Sequence, residues 1–109
     1  MDIKDQFCVK VHQTPYGLLV AICDLELIDK KLSYEGIEII VSRDFYCESI
    51  VDIIRVRELM QRAVSLNLLG NNIVKLALSM GFIHEDAIIF LNDEKNEKIA
   101  HALVHLFAF

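Results

Sequence analysis

The stretch from Val56 to Phe82, VRELMQRAVSLNLLGNNIVKLALSMGF, constrains this chain more than any other. Asn67, Gly70, Asn71 and Asn72 gather at its middle. Both residue types tolerate left-handed backbone, so the spacing predicts two helices that meet at Gly70. Upstream, Ile53, Val56, Met60, Ala63 and Val64 recur at helical spacing; Leu59 widens this stripe and Leu66 extends it. Arg55, Glu58, Gln61, Arg62 and Ser65 fill the other side. This is an amphipathic helix of about four turns, with Asp52 placed to cap it. Downstream, Ile73, Leu76, Ala77 and Met80, flanked by Val74 and Leu78, leave only Lys75 and Ser79 polar. A second helix capped by Asn71 or Asn72, ended by Gly81 and buried on most sides, is expected there. Each large apolar side chain in these stripes is worth roughly 1.5–3 kcal/mol only once a partner layer covers it.

Strands supply that layer. Phe7, Val9 and Val11 alternate with Cys8, Lys10 and His12, the pattern of a half-buried strand. Pro15 and Gly17 mark a turn, and Leu18 to Cys23 has no polar side, as expected of a fully covered hairpin partner. Asp24 to Lys31 is short and charged, a turn or two of helix or a crossover with Asp24 as a candidate cap. Leu32-Ser33-Tyr34 reads as an edge strand, Glu35-Gly36 as a turn, and Ile37 to Val41 as a β-branched strand. Ser42 to Ile50 is a polar connection in which at least one of Phe45 and Tyr46 should tuck inward. Ala87 to Leu91 reads as a buried strand, residues 92–98 as a solvated turn, and Ile99 to Leu106 as a last strand for which a helix also stays open. The fold class expected is α+β: a mainly antiparallel sheet packed by a helical hairpin on one face.

A chain of 109 residues with 54% hydrophobic content points to one domain with ample core and excludes a disordered chain. Its net charge of −5 argues against a wide phosphate-binding face, though not against a small basic patch. No apolar run has the length of a membrane span and the first residues do not resemble a signal peptide, so the cytoplasm is the expected compartment. There Cys8, Cys23 and Cys47, an odd number, are expected to be reduced.

Few residues suggest chemistry. His101 and His105 are close, but no paired cysteines or acidic residues complete a zinc site, and no metal is expected. Cys47 has Asp44 and Glu48 nearby, charges that raise a thiol pKa and disfavour a nucleophile. Cys8 and Cys23 read as small packing residues. Gly17, Gly36, Gly70 and Gly81 are scattered, so no phosphate loop and no cofactor is expected. The corner Leu69-Gly70-Asn71-Asn72 exposes backbone amides that can hold an anion, or it is a plain turn. Arg43, Arg55, Arg57, Arg62 and Lys75 make 43–75 the least acidic part of the chain, a candidate contact for RNA phosphates or simply a solvated helix face. The apolar end, with Phe107 and Phe109, calls for burial in the domain or against another chain.

Several of these pieces resemble the archaeal domain-of-unknown-function family 424. They are Val20-Ala21-Ile22-Cys23-Asp24, Phe45-Tyr46, Asn67-Leu68-Leu69-Gly70, Ile73-Val74-Lys75-Leu76-Ala77, Gly81 and Ala100-His101-Ala102. The family pattern at the last site looks like Pro-His-Ala, from which Ala100 departs. The resemblance implies an archaeal cytoplasmic α+β protein and singles out Asn67, Gly70 and His101 as a shared site. It brings no established activity, only an association with RNA or translation. Three functions follow in order: a non-enzymatic module binding RNA or the ribosome; a homo-oligomeric protein–protein module using Phe107 and Phe109; and an enzyme built on His101.

Overall fold

A computed structural model describes residues 5–106 of the chain. One eight-stranded sheet runs through it in the order β4-β3-β7-β8-β6-β2-β1-β5. Its strands are β1 (Gln6–Thr14), β2 (Gly17–Asp24), β3 (Lys31–Tyr34), β4 (Ile37–Ile40), β5 (Ser49–Asp52), β6 (Ser65–Leu69), β7 (Ile89–Asn92) and β8 (Lys98–His105). The helices are α1 (Arg43–Tyr46), α2 (Ile53–Arg62) and α3 (Asn71–Ser79). Every pairing is antiparallel except β2 with β6. The expected fold class holds.

Alternation along β2 splits the core in two. Val20 and Ile22 face a front cluster with Val56, Leu59 and Met60 of α2 and Ile73, Val74 and Ala77 of α3. Ala21 and Cys23 face a back cluster with Leu27, Val41 and Tyr46. Both long helices therefore lie on one face, as their stripes require. The chain between them differs from the helical corner expected. Residues Ser65–Leu69 form β6, a central strand flanked by β2 and β8. Leu66 and Leu68 point to the front core while Leu69 joins the back one, a period of two that a short apolar run hides inside a helical stripe. So α2 ends at Arg62, a turn short of the expected length.

Asp52 caps α2 as anticipated, its Oδ1 accepting from the Arg55 amide at 3.0 Å. Gly81, at φ 77°, ends α3, with the Phe82 amide donating back to the Ala77 carbonyl at 3.0 Å. The polar connection after β4 is more ordered than its composition suggests: Ser42 caps α1, and β5 extends the sheet beyond β1. The strand expected at Ala87 to Leu91 begins later, at Ile89, behind a 3₁₀ turn. The last segment is a strand, closing the helical alternative.

The cysteine expectation is corrected. Cys8 and Cys47 form a disulfide with a Cα–Cα distance of 4.7 Å, and Cys23 alone is free. Cys23 lies directly across from Cys8 in the β1–β2 register, yet α1 folds over that face and brings Cys47 to it first. Phe107 and Phe109 fall outside the described residues.

Candidate functional site

Of the residues expected as a shared site, Asn67 and His101 meet at the centre of the sheet. β6 and β8 are neighbours, with Leu69 opposite His101 and Asn67 opposite Leu103. Asn67 and His101 share the back face, and the Asn67 Oδ1 accepts from His101 Nε2 at 3.1 Å. The same oxygen accepts from the Tyr46 hydroxyl at 2.7 Å. A carbonyl oxygen only accepts, so His101 carries its proton on Nε2. Burial pushes the His101 pKa down, which keeps the ring neutral, and pushes the Tyr46 phenol up, so it stays a donor.

Tyr46 is the member that sequence reading named only within the pair Phe45-Tyr46, of which at least one was expected to tuck inward. Its signal was available: a buried tyrosine needs a partner for its hydroxyl, and Asn67 is, with Ser65, one of two polar residues on the central strand. The short helix α1 holds it there. Phe45 packs edge-on to Tyr46 at 4.9 Å and stacks on His12 at 4.7 Å. His12 Nε2 bonds the Phe45 carbonyl at 3.0 Å, and Lys10 Nζ donates to the Asp44 carbonyl at 2.7 Å.

Gly70 instead meets Asp24. At φ 128° it turns β6 into α3, and a Cβ there would land on the Asp24 carboxyl group. That carboxylate accepts from the Asn72 and Ile73 amides, both at 2.9 Å. Asp24 thus caps α3 from the end of the parallel neighbour β2, not the 3₁₀ turn that follows it, and it supplants Asn71 and Asn72 as caps. The corner's amides do hold an anion, and it is the protein's own. Asn71 instead clamps β8, donating to the Lys98 carbonyl at 3.0 Å and accepting from the Ala100 amide at 2.8 Å.

α1 packs on the back face over β1 and β2, and its Tyr46 reaches β6 at Asn67. Beyond Asn67 and His101 the face is open: Leu103 is 62% exposed, and Ile89, paired with His101, is 43% exposed. No formally charged residue of β6 or β8 points to this side between Ser65 and His105. Among the described residues no group of His, Cys, Asp and Glu could hold a metal. A polar cleft of about 420 Å³ lies elsewhere, between Leu27, Lys30, Asn71, Glu94, Glu97 and Ile99, and His101 does not line it.

The expected basic set does not form one patch. Arg43 stands on the back face, on α1, and pairs with Asp29 at 3.0 Å. Arg55 pairs with Glu58 at 3.1 Å. Arg57, Arg62 and Lys75 are exposed on the front helices, and among the described residues no ion pair joins them.

Comparison with known proteins shows the family and the fold. A family model described as "Protein of unknown function (DUF424)" matches residues 12–102. A crystal structure of an uncharacterized conserved protein from Methanopyrus kandleri shares the fold, with a TM-score of 0.73 at 23% identity over 95% of this chain and 94% of that one. No curated protein matches. No helix of the described residues is long and apolar enough to cross a membrane.

Proposed function

We propose, for a chain that belongs to the DUF424 family of proteins of unknown function, a role as a non-enzymatic recognition module for RNA–protein particles such as the ribosome. One observation carries this reading: the two faces of the sheet differ in character. The front helices present Arg57, Arg62 and Lys75 exposed and without carboxylate partners among the described residues, cations suited to phosphates. The back face presents apolar Leu103 and Ile89 around the fixed amide of Asn67 and the neutral ring of His101, a surface suited to protein or to an unpaired base. A ribonucleoprotein offers both kinds of partner. His101 argues for recognition more than catalysis, because its one side-chain partner among the described residues is an amide oxygen that orients the ring and takes no proton. The Cys47 thiol is consumed in a disulfide, and burial pushes the Cys23 thiol up and away from reactivity. A ribosomal partner places the protein in the cytoplasm. The Cys8–Cys47 bond suits that setting in hyperthermophilic archaea, whose intracellular proteins are rich in disulfides.

Sedimentation through sucrose with archaeal ribosomal particles at low salt tests the proposal. The protein should travel with the particles. If it stays at the top of the gradient, and binds neither particles nor total RNA at low salt, the role is excluded.

A further inference from the structure

β4 is the terminal strand of the sheet, and among the described residues nothing pairs with its outer edge. It is exposed along its length, with Ile37 at 66% and Ile40 at 62%. Natural proteins usually blunt such an edge with lysine, proline or a bulge; here three of the four residues are isoleucine. The hairpin that carries it joins the rest of the sheet through the single register pair Ser33–Asn92, so it projects as a small ledge.

The turn at Glu35 (φ 49°) and Gly36 (φ 82°) is a two-residue one that closes on Tyr34 and Ile37. Alternate pairs then carry the hydrogen bonds, which aims the backbone groups of Ile37 and Ile39 at β3 and those of Glu38 and Ile40 outward. Val41 follows the same parity, donating to the Lys30 carbonyl at 2.9 Å.

We propose that β4 pairs antiparallel with β4 of a second copy of this chain, with the two-fold axis at Ile39. Charge selects both the occupant and the register. Centring on Glu38 would set two carboxylates opposite each other, which is unfavourable. Centring on Ile39 sets Ile39 against Ile39 and each Glu38 against the other copy's Ile40. Lys31 lies across from Ile40 on the inner side, so the second copy's Glu38, Ile40 and Lys31 fall in one row on one face. Glu38 and Lys31 then sit about two strand spacings apart, roughly 10 Å between backbones, a span their long side chains bridge above Ile40. Each copy gains this pairing twice over. The outward amide and carbonyl of Glu38 meet those of Ile40, completing the ladder. Two such edges close on each other, leaving no free β4 edge for a third copy. Within β4 the contact spans three residues of each copy, Glu38–Ile40, so it belongs with small, transient interfaces.

Sedimentation velocity across a concentration series up to about 1 mM, the range for such weak interfaces, reads the association. Wild type should dimerise. E38K should weaken the dimer about tenfold or more, and K31E/E38K should restore it. Ile39→Cys should cross-link to itself on mild oxidation, because that pair does not exchange backbone hydrogen bonds and lies close, while Ile37→Cys should not. The native cysteines do not compete, being either bonded or buried. A wild type that remains monomeric overturns the proposal, as does a dimer indifferent to E38K, a double variant no better than the single, or cross-linking at position 37 in place of 39.

Discussion

Asp24 is pulled two ways. Burial pushes its pKa up to about 6, against the two amides of α3 that favour the carboxylate, and burial prevails. In the unfolded chain the group titrates near 3.8. Between these values the native state keeps a proton that the unfolded chain has released. Stability should therefore fall as pH rises from about 4 to about 6, the contribution being whole below that window and gone above it. A shift of this size corresponds to ~3 kcal/mol. Denaturant midpoints measured across the window should show this slope, and Asp24→Asn should flatten it. Gly70 meets Asp24 from the other side. Gly70→Ala puts a side chain at φ 128° and drives its Cβ into the carboxyl group. The backbone strain alone costs on the order of 1–3 kcal/mol, and thermal unfolding should register at least that loss. Neither effect can be seen in the sequence, because Asp24 and the amides it caps are 48 and 49 residues apart.

At the scale of elements, legibility followed the length of the signal. The stripes of α2 and α3 span several turns, and both helices appear on one face, capped by Asp52 and ended by Gly81. β6 is five residues long, and within Leu66-Asn67-Leu68-Leu69 helical and strand periods coincide too briefly to be told apart. The site was half legible. Family resemblance led to Asn67 and His101, which the β6–β8 register joins, while Tyr46 depends on where α1 folds. The disulfide escaped for the same reason: spacing does not reveal that α1 doubles back over β1. That link closes a loop of 39 residues and fastens the element that carries Tyr46. Chain entropy assigns such a loop about 4 kcal/mol. Replacing both Cys8 and Cys47 with alanine should lower stability by that order in denaturant titrations. Cys8 is wholly buried, so a Cys47→Ser variant separates the loss of the bond from the cavity.

Across the whole molecule, the exposed cations of the front helices make the proposed role quantitative. Phosphate contacts release counterions, so each cation engaged adds roughly 0.7–0.9 to the slope of log affinity against log salt. With Arg57, Arg62 and Lys75 of the front helices all engaged, binding to ribosomal particles should have a salt slope of about 2–3, small for a nucleic-acid binder and consistent with a net charge of −5. Replacing Arg57 and Arg62 with glutamine should lower that slope by about 2 and leave a residual affinity that salt does not touch. The residual belongs to the back face. Leu103→Glu places a charge on the otherwise uncharged apolar surface beside Asn67. It should remove the salt-insensitive part while leaving the slope of what remains, because it touches no phosphate contact. Leu103 is exposed, so its replacement leaves the core packing in place and circular dichroism should match the wild type. Pelleting assays between 50 and about 500 mM salt, with wild type and both variants, separate the two contributions. If the glutamine variant keeps the full slope, the front cations do not meet phosphate. If Leu103→Glu binds as the wild type does, the open sheet face is not where the particle docks.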